Sequence, residues 1–260
     1  MKPNDFASFF QSDSRLYKPH SLSEVSDLIG RLALDLVIVI AYGKMIPRAL
    51  LKQPRHGWIN LHFSLLPQYR GAAPVQRAIL DGQTRTGVTV FQLDEGMDTG
   101  PLFAHREYEI PHHATSGEVL ADLSDIGAAS VAEALLKISQ GQRPEPQGNS
   151  GISMAPKITK NEGRINWHRS STEIVNLIRA FNPNPLAWTM LEGKRLTIVK
   201  AHVIGEKMGE PGEISSKDGS VVIGTSDNAI LIDVLTPEGK RTMTGSEWVR
   251  GFRLSGQRCL

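Results

Sequence analysis

The chain reads as an α/β unit followed by a small β-barrel. Three observations carry that reading. A short β-branched run at residues 35–41 sits between helical patterns, as a buried parallel strand does. Residues 142–156 then turn rich in Gly, Pro, Gln, Asn and Ser, the composition of a linker. Beyond them come brief apolar runs at 195–199, 220–223 and 229–234, separated by turn residues, as in a small barrel.

Taken in order, residues 21–34 have helical spacing, with Ser23 and Glu24 near the start. The run 35–41 predicts a strand buried on both faces, ending at Tyr42 and Gly43. A short helix is expected over 45–51, with Pro47 in its first turn. A strand follows over 58–66, closed by Pro67, and then a helix from Pro74 to Asp81, stopped by Gly82. Residues 86–93 and 102–110 alternate with period two and predict an antiparallel pair flanking a glycine-rich loop at 94–100. Thr115 and Glu118 have the spacing of a capping box for a helix ending near Gly141. A further helix is expected over 173–181.

A chain of 260 residues can bury a core without covalent staples. The single cysteine, Cys259, excludes an internal disulfide framework and a cysteine-rich metal site. The longest apolar run, 36–42, is too short to span a bilayer, and the first residues carry no apolar signal core. A cytoplasmic protein is expected. Charge is uneven: residues 1–150 sum to −2 and residues 151–260 to +4. The basic second part could meet a phosphate backbone, or carry only scattered solvated charge.

The chemistry concentrates in three side chains. Asn60 and His62 alternate with apolar residues, so on a strand they share one face. Asp98 lies in the loop at 94–100. When an amine attacks a carbonyl, charge grows on the oxygen and the nitrogen becomes acidic, which calls for hydrogen-bond donors and a proton route. An amide donates without ionising, an imidazole titrates near neutrality, and a carboxylate can orient the imidazole. Each residue also has an ordinary reading: a satisfied strand Asn or His, and a turn Asp beside Gly96 and Gly100. His112 and His113 follow Pro111 at a strand end and read as a solvated pair.

The stretch from Asn60 through Ser64, Leu65, Leu66, Pro67 and Arg70 to Gly71-Ala72-Ala73-Pro74 resembles the core motif of folate-dependent formyltransferases. The Gly-Ala-Ala-Pro ending resembles the methionyl-tRNA branch of that family. Residues 157–167, 178–183, 185–188, 239–243 and 250–254 resemble its C-terminal domain. The resemblance implies a Rossmann-like catalytic domain over 1–142, a linker over 143–162 and an OB-like tRNA-binding barrel over 163–260. It implies transfer of formyl from 10-formyltetrahydrofolate to the methionine amine of charged initiator tRNA, by a monomer, with no metal and no membrane. Asn60, His62 and Asp98 match the catalytic set. Ser64, Leu65, Leu66 and Pro67 match the folate-contacting stretch, and residues 42–47 a pterin-pocket loop. Lys157, Lys160, Arg164, Lys240 and Arg241 are candidates for acceptor-stem phosphates.

The family's first strand, Gly-Thr-Pro turn, second strand and basic loop have no counterpart in the sequence. Residues 15–19 take the place of its third strand. The expectation is a catalytic sheet without its first two strands, from a misassigned start codon or a truncated gene. Two alternatives to the tRNA reading stand beside it. One is a sister enzyme formylating a small amine, such as an amino sugar or glycinamide nucleotide. The other is an inactive folate- or tRNA-binding remnant.

Overall fold

The computed structural model describes residues 16–251 and 256–260. The first unit is built on a four-stranded sheet in the order β1 (Val37–Ile40), β2 (Trp58–His62), β3 (Arg85–Gln92), β4 (Leu102–Glu109). β1 and β2 are parallel, and the other pairings are antiparallel. Helix α1 (Leu22–Arg31) begins at Ser21, whose hydroxyl accepts the Glu24 N–H. The short α2 (Arg48–Leu51) starts after Pro47 and α3 (Pro74–Leu80) on Pro74. The long α4 (Ser116–Ser139) has the expected reciprocal cap between Thr115 and Glu118.

Three expectations are corrected. β1 is not buried on both faces: Val39 is buried, but Ile38 and Ile40 are exposed. Val37 and Val39 pack with Ile29, Leu50 and Trp58, whereas no described element covers the opposite face. A β-branched run reads the same whether one face or both are covered. The second strand stops at His62 and does not reach residue 66. There the Ser64 hydroxyl donates to the carbonyl of Gln68 at 2.6 Å, a local turn bond that takes the backbone out of the sheet. Residues 16–19 form no strand, and Arg15 lies outside the described residues.

The pleat of β2 divides its side chains between two jobs. Ile59 and Leu61 enter the core under α4. The helix comes so close that a Cβ on Gly127 would sit 2.6 Å from Leu61 Cδ2. Asn60 and His62 face the other way, opposite Phe91 and Thr89 of β3.

The second unit begins with a 3-10 turn (Asn161–Gly163) and helix α5 (Ser171–Phe181), capped reciprocally by Ser170 and Glu173. Its sheet runs β5 (Ala187–Leu191), β6 (Lys194–Val203), β9 (Ala229–Pro237), β8 (Ser220–Gly224), β7 (Ile214–Lys217), with β10 (Met243–Thr244) beside β9. Helix α6 (Gly245–Gly251) packs on β8 and β9. Residues 258–259 join the two outer edges, Cys259 bridging to Leu191 and Arg258 to Glu213. These isolated bridges span the two outer edges, but the strands themselves form an antiparallel sheet that the described pairings do not close into the expected barrel. The Cys259 thiol is buried, which pushes its pKa up to about 12 and leaves it inert as a nucleophile. Residues 252–254, matched to the family ending, lie outside the described residues.

The two units pack through α3 and α5. Arg77 on α3 donates to the Pro156 carbonyl at 3.0 Å and pairs with Glu162 at 2.8 Å. Arg179 on α5 donates to the carbonyl of Ala114 at 2.9 Å. Among the described residues no helix is long and apolar enough to cross a membrane.

Candidate active site

At the end of β2, Asn60 and His62 open into a cleft of about 450 Å³, a size in the range of small-molecule sites. One wall is residues 41–46, which follow β1. Another comes from Leu93, Asp94, Met97 and Asp98, after β3, and the floor includes Gly71, Pro74 and Gln76.

His62 is 5% exposed. Its Nε2 lies 2.8 Å from the carbonyl oxygen of Tyr69. A carbonyl can only accept, so the proton of the neutral ring sits on Nε2 and the Nδ1 lone pair is free. That lone pair faces the Asp98 carboxylate, with Oδ2 at 3.8 Å. The separation is too long for a hydrogen bond. Burial holds the imidazole below its ordinary pKa, partly offset by the Asp98 charge and the Tyr69 carbonyl. The ring is therefore neutral at pH 7, with an unoccupied basic nitrogen beside a carboxylate.

Asp98 reaches this place through a left-handed backbone conformation, φ +52°. Its Oδ2 accepts the N–H of Gly71 at 2.7 Å, which ties the loop after β3 to the start of α3. Ala41, on the facing wall, is also left-handed at φ +55°, as is Tyr69 at φ +57°. Such residues persist where surrounding contacts over-determine them, and they cluster at functional sites. The Asn60 Oδ1 is buried and has no hydrogen-bond partner among the described residues. Its amide group borders the cleft.

The structure therefore brings Asn60, His62 and Asp98 together. It does not put Ser64, Leu65, Leu66 or Pro67 on the lining of this cleft. Ser64 is fully buried, and its carbonyl accepts the Thr89 hydroxyl at 2.7 Å while Leu66 N–H donates back to that oxygen. These residues shape the turn beneath His62. Of the 42–47 loop, Tyr42, Gly43, Lys44, Met45 and Ile46 line the cleft. His112 and His113 lie exposed, ring against ring at 4.9 Å.

A family model described as formyl transferase matches residues 3–135, and one for the formyl transferase C-terminal domain matches residues 157–253. The chain belongs to the formyltransferase family. This formyltransferase is 41% identical to a methionyl-tRNA formyltransferase of Arthrobacter over 88% of its length and 75% of that protein. It is 40% identical to the methionyl-tRNA formyltransferase of Salinispora tropica, covering 89% of this chain and 76% of the other. Among solved structures, HypX from Aquifex aeolicus in complex with tetrahydrofolic acid matches 91% of this formyltransferase. The TM-score is 0.70 at 25% identity, and the match spans 42% of HypX. A methionyl-tRNA formyltransferase from Clostridium thermocellum shares the fold at TM-score 0.60 and 17% identity, over 87% and 91% of the two chains.

Proposed function

We propose that the chain moves the formyl group of 10-formyltetrahydrofolate to the methionine amine of charged initiator tRNA at the cleft of Asn60, His62 and Asp98. The observation that carries this reading is the neutral His62, with its Nδ1 open beside an acceptor-only carboxylate and an amide donor two residues away. The amine nitrogen attacks the formyl carbon, and the oxygen takes on charge. The Asn60 amide donates to it. The nitrogen loses its proton to His62 Nδ1, and the imidazolium so formed is stabilised by Asp98 and becomes a second donor to the oxyanion. The bond from carbon to the folate N10 then breaks, and the proton returns to that nitrogen.

The folate is assigned to the wall of residues 41–46 and the facing Leu93 and Met97, whose mixture of apolar side chains and main-chain groups suits a flat heterocycle. Ser64, Leu65, Leu66 and Pro67 act on the site through the turn they form beneath His62. The tRNA is assigned to the second unit and to the segment that leads into it. Lys157, Lys160 and Arg164 are exposed on the stretch that Arg77 ties to α3, the helix whose Gln76 lines the cleft. Arg164 also lies over the Trp188 ring, 5.8 Å from its centroid. Lys240 and Arg241 are exposed on the turn between β9 and β10 and could lengthen the contact.

Purified protein is incubated with 10-formyltetrahydrofolate and, in parallel, charged initiator tRNA, an amino-sugar nucleotide and glycinamide ribonucleotide. Formylmethionyl-tRNA is the expected product. Formylation of a small amine with none on the tRNA would replace this reading by the sister activity, and no transfer to any of them would favour a binding remnant.

A further inference from the structure

The segment between the two units is tied to the first unit at four places. Glu145 exchanges both backbone hydrogen bonds with Leu102 at the start of β4, at 2.6 and 2.8 Å. Ser153 presents its hydroxyl to the N–H of Tyr69 at 2.8 Å, and its carbonyl accepts the Arg70 N–H. Ala155 bonds to both Arg70 and Ala73. Between these anchors Gln147 turns its side chain toward the site. Its Nε2 donates to the carbonyl of Asp98 at 2.8 Å and to that of Gly100 at 2.7 Å, which uses both amide hydrogens. Its Oε1 accepts from Arg70 Nη2 at 2.6 Å.

The turn that Gln147 grips is held on its far side by Asp94, whose Oδ1 accepts the Gly96 N–H and the Thr99 hydroxyl. On the near side the left-handed Asp98 is held by Gln147 through the main chain and by Gly71 through the side chain. We propose that Gln147 is a positioning residue for Asp98: from the segment between the units, it fixes the turn that sets the carboxylate opposite His62 Nδ1. The proposal rests on the formyl-transfer reading for its kinetic consequence, but its geometric content does not. The same segment also supports Tyr69, whose carbonyl holds the His62 proton. Residues with the composition of a linker thus act as a second layer of the site.

The test compares Gln147→Ala, Gln147→Glu and Gln147→Asn with the wild type in single-turnover formyl transfer. KM for each substrate, melting temperature and the His62 titration followed by NMR are measured alongside. The glutamate keeps the size and the acceptor for Arg70 but loses both donors. Asparagine keeps the amide one carbon short of the double reach. Alanine and glutamate are expected to lower kcat by about tenfold to a hundredfold, the cost of a small misplacement. Asparagine falls between them and wild type, and KM changes by less than about twofold.

Around His62 the described groups are Asp98 on the loop after β3, the Phe91 ring and Thr89 on β3, and the Tyr69 carbonyl, with Asp94 on the loop after β3 and Tyr42 and Lys44 on the loop after β1 lining the same cleft. As Asp98 drifts away its charge acts less on the ring, so the His62 midpoint moves to lower pH. A variant that only loosened the fold would lower the melting temperature and leave that midpoint in place. Folded alanine and glutamate variants with wild-type kcat and an unshifted His62 midpoint overturn the proposal. Should both fail to fold, rapid solvent exchange of the Gln147 side-chain amide in the wild type overturns it, and slow exchange supports it. A wild type that formylates nothing would sink the functional reading, while the His62 midpoint would still decide the role of Gln147.

Discussion

Replacing Asp98 with asparagine isolates the electrostatic part of the site. The two side chains are nearly the same size, and the asparagine oxygen can still accept the Gly71 N–H that now meets Oδ2 at 2.7 Å. The turn therefore stays in place and only the charge is lost. At 3.8 Å from His62 Nδ1, with an effective dielectric of about 20, a carboxylate attracts an imidazolium by roughly 4 kcal/mol. That is roughly a thousandfold in rate if the full attraction is expressed at the transition state. Asp98 is 15% exposed, so solvent weakens it somewhat. A fall in kcat of about a hundredfold to a thousandfold is expected, with KM for folate and tRNA nearly unchanged. Single-turnover formation of formylmethionyl-tRNA, resolved on acidic gels, measures it. Activity within tenfold of wild type, in a protein of unchanged melting temperature, would refute an electrostatic role for the carboxylate.

Four further outcomes follow. Asn60→Ala removes an oxyanion donor and should cost about 10²–10³ in kcat, read in the same assay. The buried imidazole has a pKa below its ordinary value, so its active neutral form persists above that range and is lost as the pH falls through the lowered value. The acid limb that His62 adds to the profile of kcat, where the substrate is already bound, should accordingly lie below pH 6.5. Gly100→Ala would place a Cβ 1.7 Å from the Gln92 carbonyl, so β3 and the Asp98 turn cannot both survive, and loss of soluble protein or of all activity is expected. Asp227 accepts the Ser171 N–H at 2.8 Å at the start of α5 and has a pKa pulled down to about 2 by that bond and its neighbours. Asp227→Ala should cost on the order of 1 kcal/mol in denaturant titration at neutral pH, as for a lost helix cap. The difference should shrink on acidification, because the stabilising carboxylate is lost as pH falls below about 4 toward its folded pKa.

What was legible in the sequence was local. Period-two alternation placed Asn60 and His62 on one face of β2, and the spacing of Thr115 and Glu118 marked the start of α4. Where tertiary contacts decide, the pattern failed. The isoleucines of β1 look like those of a two-sided strand, and only the placement of neighbouring elements leaves Ile38 and Ile40 in solvent. Phe63 and Leu65 continue the apolar character of β2, but the Ser64 hydroxyl bond to Gln68 turns the chain away. The part of the site least visible was its second layer. Gln147 meets Asp98 across 49 residues through a side-chain amide. In a sequence that amide is indistinguishable from any glutamine of a polar connector. The strand β5 and the bridges at 258–259 were unread for the same reason, being fixed by long-range pairing and not by periodicity.

The most direct measurement is transfer of a ¹³C-labelled formyl group from 10-formyltetrahydrofolate to charged initiator tRNA, followed in one turnover by wild type and by folded Asn60→Ala and Asp98→Asn. Label should appear on the methionine nitrogen with wild type and be slowed by at least about a hundredfold in each variant, the scale of a lost oxyanion donor. Absence of labelled methionine from the wild type, or undiminished transfer by the two variants, would contradict formyl transfer at this cleft.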